Sequence, residues 1–187
     1  MNAPHSARVL YVITCGTLAA RDVGKLVDLA QADAWMVCVI ATPMATRFID
    51  QAALEAQTGY PVRSDYKQPG TPDVLPSATA MVVGGASANT INKLAAGISD
   101  NLALGLLNEA IGLGLPLAIL PFVNTALAAH PAFKRSVREL REAGVDVLLG
   151  EGGFVPNPPG QGEQKLPDYP WEAALWAVRR LPTETRM

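Results

Sequence analysis

A three-layer α/β/α sandwich on a parallel sheet is the fold class this sequence predicts, and three observations predict it. Short apolar runs of strand length alternate with stretches whose apolar residues recur at helical spacing. The runs are apolar throughout, as strands covered on both faces must be. The 187 residues, 49% of them hydrophobic, suffice for one domain with a sizeable core, so a single domain over 1–187 is expected. Right-handed crossovers between parallel strands then place helices on both faces.

Each element has its own signal. Val9–Thr14 (VLYVIT) is a buried-strand run ending at Cys15-Gly16-Thr17, and Ala19–Leu29 follows at helical spacing with Arg21, Asp22, Lys25 and Asp28 on its polar side. Trp35–Ala41 (WMVCVIA) is the second strand and Thr46–Thr58 the second helix. Ala80–Val83 is a third strand leading into Gly84-Gly85. Thr90–Ala96 and Asn101–Ile111 read as helices, with Ser99 or Asp100 placed to cap the second. Leu115–Leu120 is a strand, Pro131–Ala143 a charged amphipathic helix, Val145–Leu149 a last strand and Trp171–Arg180 a closing helix. Two segments stand outside the alternation, Gly59–Ala78 and Gly150–Pro170. The second holds five Pro and five Gly in 21 residues, which predicts a flexible functional loop over 150–170.

Composition narrows the functions. Fifteen basic against 17 acidic residues leave a net charge of −2, too little for a surface-wide field that binds nucleic acid or anionic membranes. Two cysteines, Cys15 and Cys38, and two histidines, His5 and His130, are too few for a disulfide framework or a Cys/His metal site, so no metal is expected. Ala103–Val123 is the longest apolar candidate, and Asn108, Glu109, Pro116 and Pro121 interrupt it. The short polar start, Met1–Ala7, lacks a signal-peptide core, so a cytoplasmic protein is expected.

Ligands of open α/β sheets bind beyond the carboxyl ends of strands. Four such ends here carry small or hydrogen-bonding residues: Cys15-Gly16-Thr17, Thr42-Pro43-Met44-Ala45-Thr46, Gly84–Thr90 and Pro121–Thr125. Helix N-termini at such places suit a phosphate. None carries a dinucleotide or triphosphate loop, and each alone reads equally well as a helix cap or a tight turn.

Together they carry a resemblance. Gly85–Leu102 (GASANTINKLAAGISDNL) closely resembles the P-A-S-A-N-T … N-G-I-x-D-N-L signature of the homo-oligomeric flavin-containing cysteine decarboxylases. Pro121–Ala128 (PFVNTALA), followed by His130-Pro131, is similar to that family's P-x-M-N-x-x-M-W segment. VITCGTLAA and ATPMATRFI resemble its first two strand ends, so the likeness spans roughly Arg8–Val147. The family includes phosphopantothenoylcysteine decarboxylase and the peptidyl-cysteine decarboxylases of lanthipeptide biosynthesis. The resemblance implies a flavodoxin-like fold that binds FMN, a homotrimer or a dodecamer of trimers, and a small-molecule or C-terminal peptidyl-cysteine-like substrate. It implies that Gly16 and Thr17 lie near the flavin phosphate or ribityl chain and that Thr42 and Thr46 give hydroxyls to the phosphate. Ser87, Asn89 and Thr90 would hydrogen-bond the FMN, and Asn124 would grip the substrate carboxylate. The apolar face of Thr90–Ile111, interrupted by Gly97 and Gly105, suits close helix packing in such an oligomer.

Departures from the family pattern bear on chemistry. The family's catalytic His falls on Thr71, no histidine lies between His5 and His130, and the 150–170 loop has no cysteine. A threonine hydroxyl cannot act as a base near neutral pH as imidazole does. Asp73 or Asp65 could substitute from the same loop, with Asp73 the stronger candidate. Cys15, beside a helix start, reads as an activated thiol or, more commonly, a packed core group. His130 reads as a helix-start or interface residue, and Lys134, Arg135, Arg138 and Arg141 as a solvated basic face. An FMN flavoprotein with altered or lost decarboxylase chemistry is therefore expected. The alternatives are a non-catalytic FMN-binding or regulatory subunit and a flavin prenyltransferase-like protein.

Overall fold

The structure, a computed structural model, describes residues 8–179. Five parallel strands run β1 Val9–Thr14, β2 Met36–Ala41, β3 Ala80–Ala86, β4 Leu117–Pro121 and β5 Asp146–Val147. Their spatial order is β2-β1-β3-β4-β5. The pairing is in register, with Val12 beside both Val39 and Val82, and Val83 beside Ile119.

Alternation along the strands divides the core. Leu10, Val12, Val37, Val39, Val82 and Leu120 face one side, where α1 (Gly24–Ala32) and α7 (Trp171–Arg179) cover them with Leu26, Val27, Ala174 and Leu175. Tyr11, Ile13, Ile40, Met81, Val83 and Ile119 face the other side, under α3 (Ala88–Ala95), α4 (Leu102–Leu113) and α6 (Pro131–Glu142). α2 (Gln51–Thr58) contributes Leu54 to the first side, and a short α5 (Thr125–Ala129) follows β4. The predicted three-layer sandwich is the fold observed.

Several expected elements differ in detail. The helix expected over Ala19–Leu29 is split into a 3-10 turn, Leu18–Asp22, and α1, which runs on to Ala32. Likewise Thr46–Thr58 divides into a turn at Ala45–Arg47 and α2, because Asp50 caps α2 by accepting from the Ala53 N–H at 3.0 Å. α4 is capped by Asn101, which accepts from the Leu104 N–H at 3.0 Å, rather than by Ser99 or Asp100. Asp100 instead pairs with Lys93. The last strand shortens to Asp146–Val147, and Arg180, the expected end of the closing helix, lies outside the described residues.

Within one protomer, two glycines of Thr90–Ile111 have local roles. Gly97 turns the chain after α3 with φ +69°, and a Cβ on Gly105 would overlap the Tyr66 hydroxyl, which donates to the Asn101 carbonyl at 3.2 Å. Of the basic face, Arg141 is not merely solvated. Its guanidinium donates to the Val147 carbonyl at 2.6 Å and the Leu149 carbonyl at 3.2 Å, holding the last strand to α6. No described helix is long and apolar enough to cross a membrane.

Candidate functional site

The site follows from the strand order. The chain leaves β1 for β2 on one side and returns to β3 on the other, so the connections diverge beyond the carboxyl ends of β1 and β3 and leave a crevice. A cleft of about 670 Å³ opens at this end of the sheet, within the range of small-molecule and cofactor sites. Gly16, Thr17 and Leu18 form its β1 rim, with Phe48 beyond β2. Phe122, Val123, Asn124 and Leu127 form its β4 rim, and Asn157 with residues 160–164 closes it from the carboxy-terminal loop.

Backbone geometry makes the rims close. Gly85 bulges out of β3 with φ +72°, and a Cβ there would stand 2.8 Å from the Thr17 hydroxyl. The Thr17 hydroxyl donates to the Gly85 carbonyl at 3.0 Å, tying the first strand end to the third. At Gly16 any side chain would overlap Met44. Asn124 caps α5 by accepting from the Leu127 N–H at 2.9 Å, which turns its amide N–H₂ away from the helix.

The carboxy-terminal loop is built into this floor. Tyr169 is buried, and its hydroxyl accepts from the Gly85 N–H at 3.0 Å and lies 2.8 Å from the Leu120 carbonyl, to which it donates. Burial pushes its phenol well above the usual tyrosine value. Phe122, Phe154, Tyr169 and Trp171 pack ring against ring, with centroids 4.6–5.6 Å apart. At the cleft mouth Arg21 pairs with Glu163 at 3.0 Å. Neither Tyr169 nor Asn157 stood out in the sequence, because each matters through contacts with segments more than thirty residues away.

The sequence-predicted site residues separate into three groups. Gly16, Thr17 and Asn124 meet in the cleft. Thr42, Thr46, Ser87, Asn89 and Thr90 stand at neighbouring strand ends but do not line it in one protomer. Most of their hydroxyls already have partners. Thr42 accepts from the Ala45 N–H, Thr46 donates to the Pro43 carbonyl at 2.8 Å, and Ser87 caps α3 through the Thr90 N–H. Thr90 is buried and its hydroxyl meets both Ser87 and Cys15, whereas Asn89 is exposed. Asp73 forms the third group: it pairs with Lys67 at 2.8 Å and lines a separate depression with Tyr11 and Leu106. Thr71 donates to the Gln68 carbonyl on an exposed turn. Cys15 is a core thiol, its pKa raised by burial, not an activated one. His130 caps α6, its Nδ1 accepting from the Ala132 N–H at 3.1 Å.

The chain matches a known family over most of its length. The sequence profile of the Flavoprotein family covers residues 2–168. The chain is a flavoprotein-family member. Among this flavoprotein's relatives is the coenzyme A biosynthesis bifunctional protein CoaBC of Bacillus subtilis, 30% identical over 157 residues, which are 81% of this chain and 38% of that protein. Phosphopantothenoylcysteine decarboxylase of Mus musculus is 40% identical over 67 residues, 36% of this chain and 32% of the mouse protein. The chain thus spans well under half the length of the first of these relatives. Among solved structures, the FMN-dependent cysteine decarboxylase SpaF superposes with a TM-score of 0.70 at 23% identity, covering 94% of this chain and 99% of that one. The epidermin biosynthesis protein EpiD of Staphylococcus aureus gives 0.67 at 24%, covering 75% and 81%. At these identities the superpositions establish the flavodoxin-like fold alone.

Proposed function

We propose that this flavoprotein binds FMN in the cleft beyond β1, β3 and β4, and is a cysteine decarboxylase-like protein whose chemistry is altered or lost. The observation that carries the reading is that Gly16, Thr17 and Asn124 converge on one cleft at the sheet's switch point. The lining suits a flavin: the Gly16-Thr17 turn at β1, aromatic Phe48 and Phe122 at the walls, and amides at Asn124 and Asn157. When bound, FMN supplies a two-electron acceptor for thiol oxidation. Gly16 and Thr17 hold its polar chain, with Thr42 and Thr46 at the second strand end giving hydroxyls to the phosphate after local turns open. Ser87, Asn89 and Thr90 serve the β3 end in the same way. Asn124 orients a substrate carboxylate, and the loop over 150–170 excludes water from the cleft.

The missing base supports the altered chemistry. Thr71 and Asp73 lie outside the cleft of Asn124 within one protomer, and Thr71 offers no imidazole. General acid–base assistance contributes ~10²–10⁴-fold, so turnover of a C-terminal cysteinyl peptide or of phosphopantothenoylcysteine is expected to be absent or very slow. Asp73, held by its ion pair with Lys67, is the carboxylate this reading carries as a candidate base. The assembly that accompanies this reading is a homotrimer, or a dodecamer built from it. The same observation favours the second reading, an FMN-binding subunit without turnover.

The test is direct. The purified protein is expected to be yellow, with FMN identified by mass spectrometry and trimers by light scattering. A colourless protein that takes up no added FMN overturns the reading. Carbon dioxide release from a C-terminal cysteinyl peptide, abolished in Asp73→Asn, would show that a base is present and would remove the claim of altered chemistry.

A further inference from the structure

The two faces of β5 are covered unequally. Val147 faces the core under α6, so its neighbours Asp146 and Leu148 project to the opposite face. There α1 packs on β1 and β2, and α7 on β3 and β4, which leaves β5 at the open margin of the helical layer. A depression of about 520 Å³ lies at this margin, lined by Asp146 and Leu148 of β5 and by Glu172, Leu175 and Trp176 of α7. Trp176 is 55% exposed, a large apolar surface beside the half-buried Leu148. Asp146 and Glu172 enter no ion pair among the described residues. Arg179 also lines the depression, but Asp33 holds it at 2.8 Å. The margin is therefore acidic and apolar on this face.

On the reverse face the same margin is basic. Lys134, Arg138 and Arg141 recur at helical spacing along one side of α6. The Leu148 N–H donates to Ile119 in β4, so the carbonyls of Val147 and Leu149 point to the free edge. Arg141 donates to both carbonyls, which places this side of α6 along that edge. Lys134 enters no ion pair among the described residues, and Arg138 meets Glu142 only at 3.7 Å. Both helices run antiparallel to the strands. α6 returns from β4 to β5, and α7 runs from Trp171, next to the Tyr169 that meets the β3 end, to Arg179 beside Asp33 ahead of β2. Lys134 and Glu172 thus stand near the cleft end of the molecule, with Arg138 and Asp146 farther from it.

We propose that a second copy of this chain covers this margin: two copies meet along β5 about a twofold axis parallel to the strands, and each lays the basic side of α6 on the acidic, Trp176-bearing face of the other. Such an axis exchanges the two faces of the sheet and keeps the strand direction. It therefore sets Lys134 opposite the partner's Glu172 and Arg138 opposite the partner's Asp146, with the partner's Trp176 between them. Each contact occurs twice, so the pair is closed. Charge complementarity selects a copy of this chain, because the chain carries both signs at matching heights along one edge. Arg141 already satisfies the free carbonyls of β5, so side chains make the contact and the sheet is not extended. The surface is separate from the cleft, and the inference stands without the FMN reading.

Light scattering on the full chain, over a concentration series at low salt, tests this. Wild-type protein is expected to reach at least twice the mass of Glu172→Lys and of Lys134→Glu, each of which sets two like-charge pairs face to face. Either reversal is expected to weaken the association at least about 100-fold. The double variant Lys134→Glu/Glu172→Lys re-forms both pairs and is expected to regain the wild-type mass. Trp176→Ala is expected to weaken the association about 10-fold. Should a variant not fold by circular dichroism, the exchange of Asp146→Lys with Arg138→Asp carries the same test. Equal masses for the wild type and either single reversal, or a folded double variant that stays at the lower mass, overturns the proposal. If the proposed trimer forms as well, the single variants are expected to stop at the trimer and the wild type to exceed it. FMN uptake is titrated in the same samples and is expected to be equal in all of them. Its absence removes the reading of the cleft and leaves this contact, whereas uptake with unchanged masses removes only the contact.

Discussion

Tyr169 shows how one residue can serve an entire site. Its hydroxyl joins the β3 bulge at Gly85 to the end of β4 at Leu120, below the cleft, and its ring lies among Phe122, Phe154 and Trp171. Tyr169→Phe keeps the ring and leaves the Gly85 N–H and the Leu120 carbonyl unpaired. A loss of about 1–3 kcal/mol is expected, as a lower urea midpoint at unchanged slope. Buried acids also predict a pH dependence. Burial raises the Cys38 thiol to about 11 and the Tyr11 phenol to about 12, with the coulombic effects of Cys38 and Asp73 adding to the latter. Both groups are neutral when protonated and their folded values lie above the unfolded 9.0 and 10.0. Their contribution is therefore complete below pH 9 and is lost as pH rises from 9 toward 12. Urea titrations across that window are expected to show falling stability, with a shallower decline above pH 10 in Tyr11→Phe.

Helix ends decide more of the elements than helix bodies do. α2, α3, α4, α5 and α6 each begin at a side chain that accepts a backbone N–H: Asp50, Ser87, Asn101, Asn124 and His130. Two of these caps sit at strand ends facing the cleft region, so the residues that start the helices are also the residues that line or flank the site. At α4, Asn101→Ala is expected to cost about 1 kcal/mol in thermal or urea unfolding. Asp100→Asn, which removes the exposed ion pair with Lys93 and keeps an oxygen to accept from Asn101 Nδ2, is expected to cost no more than about half of that. A reversed order would make Asp100 the residue that matters at this turn.

At the scale of the whole molecule, the sheet order positions everything else. Placing β1 between β2 and β3 sets the Gly16-Thr17 turn beside the β3 bulge, and the long return from β5 through 150–170 brings Asn157 to the cleft wall and Tyr169 beneath it. Three remote segments thereby form one cleft, so a ligand seated there links them. FMN present at about 100 times its dissociation constant is expected to add ~2.7 kcal/mol to folding stability, visible as a rise in Tm with FMN concentration. A Tm independent of FMN would remove the flavin from this cleft. The first and last described elements are joined as well. Burial works against the charge of Asp33, but hydrogen bonds from Arg179 and Trp35 and the neighbouring Arg8 hold its carboxyl below the usual range.

Sequence by itself determined the alternation of strands and helices, the parallel sheet, and the four strand ends rich in small and hydrogen-bonding residues. These are local properties: apolar run length, helical period and turn chemistry are written in consecutive residues. The resemblance of the chain's strand-end segments to a known family also singled out Gly16, Thr17 and Asn124, which the fold brings to one cleft. Which strand ends share a cleft was decided by tertiary structure. Thr42, Thr46, Ser87, Asn89 and Thr90 flank it and do not line it, and Asp73 faces another depression, since neither crossover length nor loop path is encoded in local periodicity. The split of two helices and the cap at Asn101 turned on side-chain to backbone bonds that several polar neighbours could have made equally well. Asn157 and Tyr169 lie in a proline- and glycine-rich stretch with no periodic signal, and only folding brings them against β3 and β4, where burial gives their polar atoms meaning.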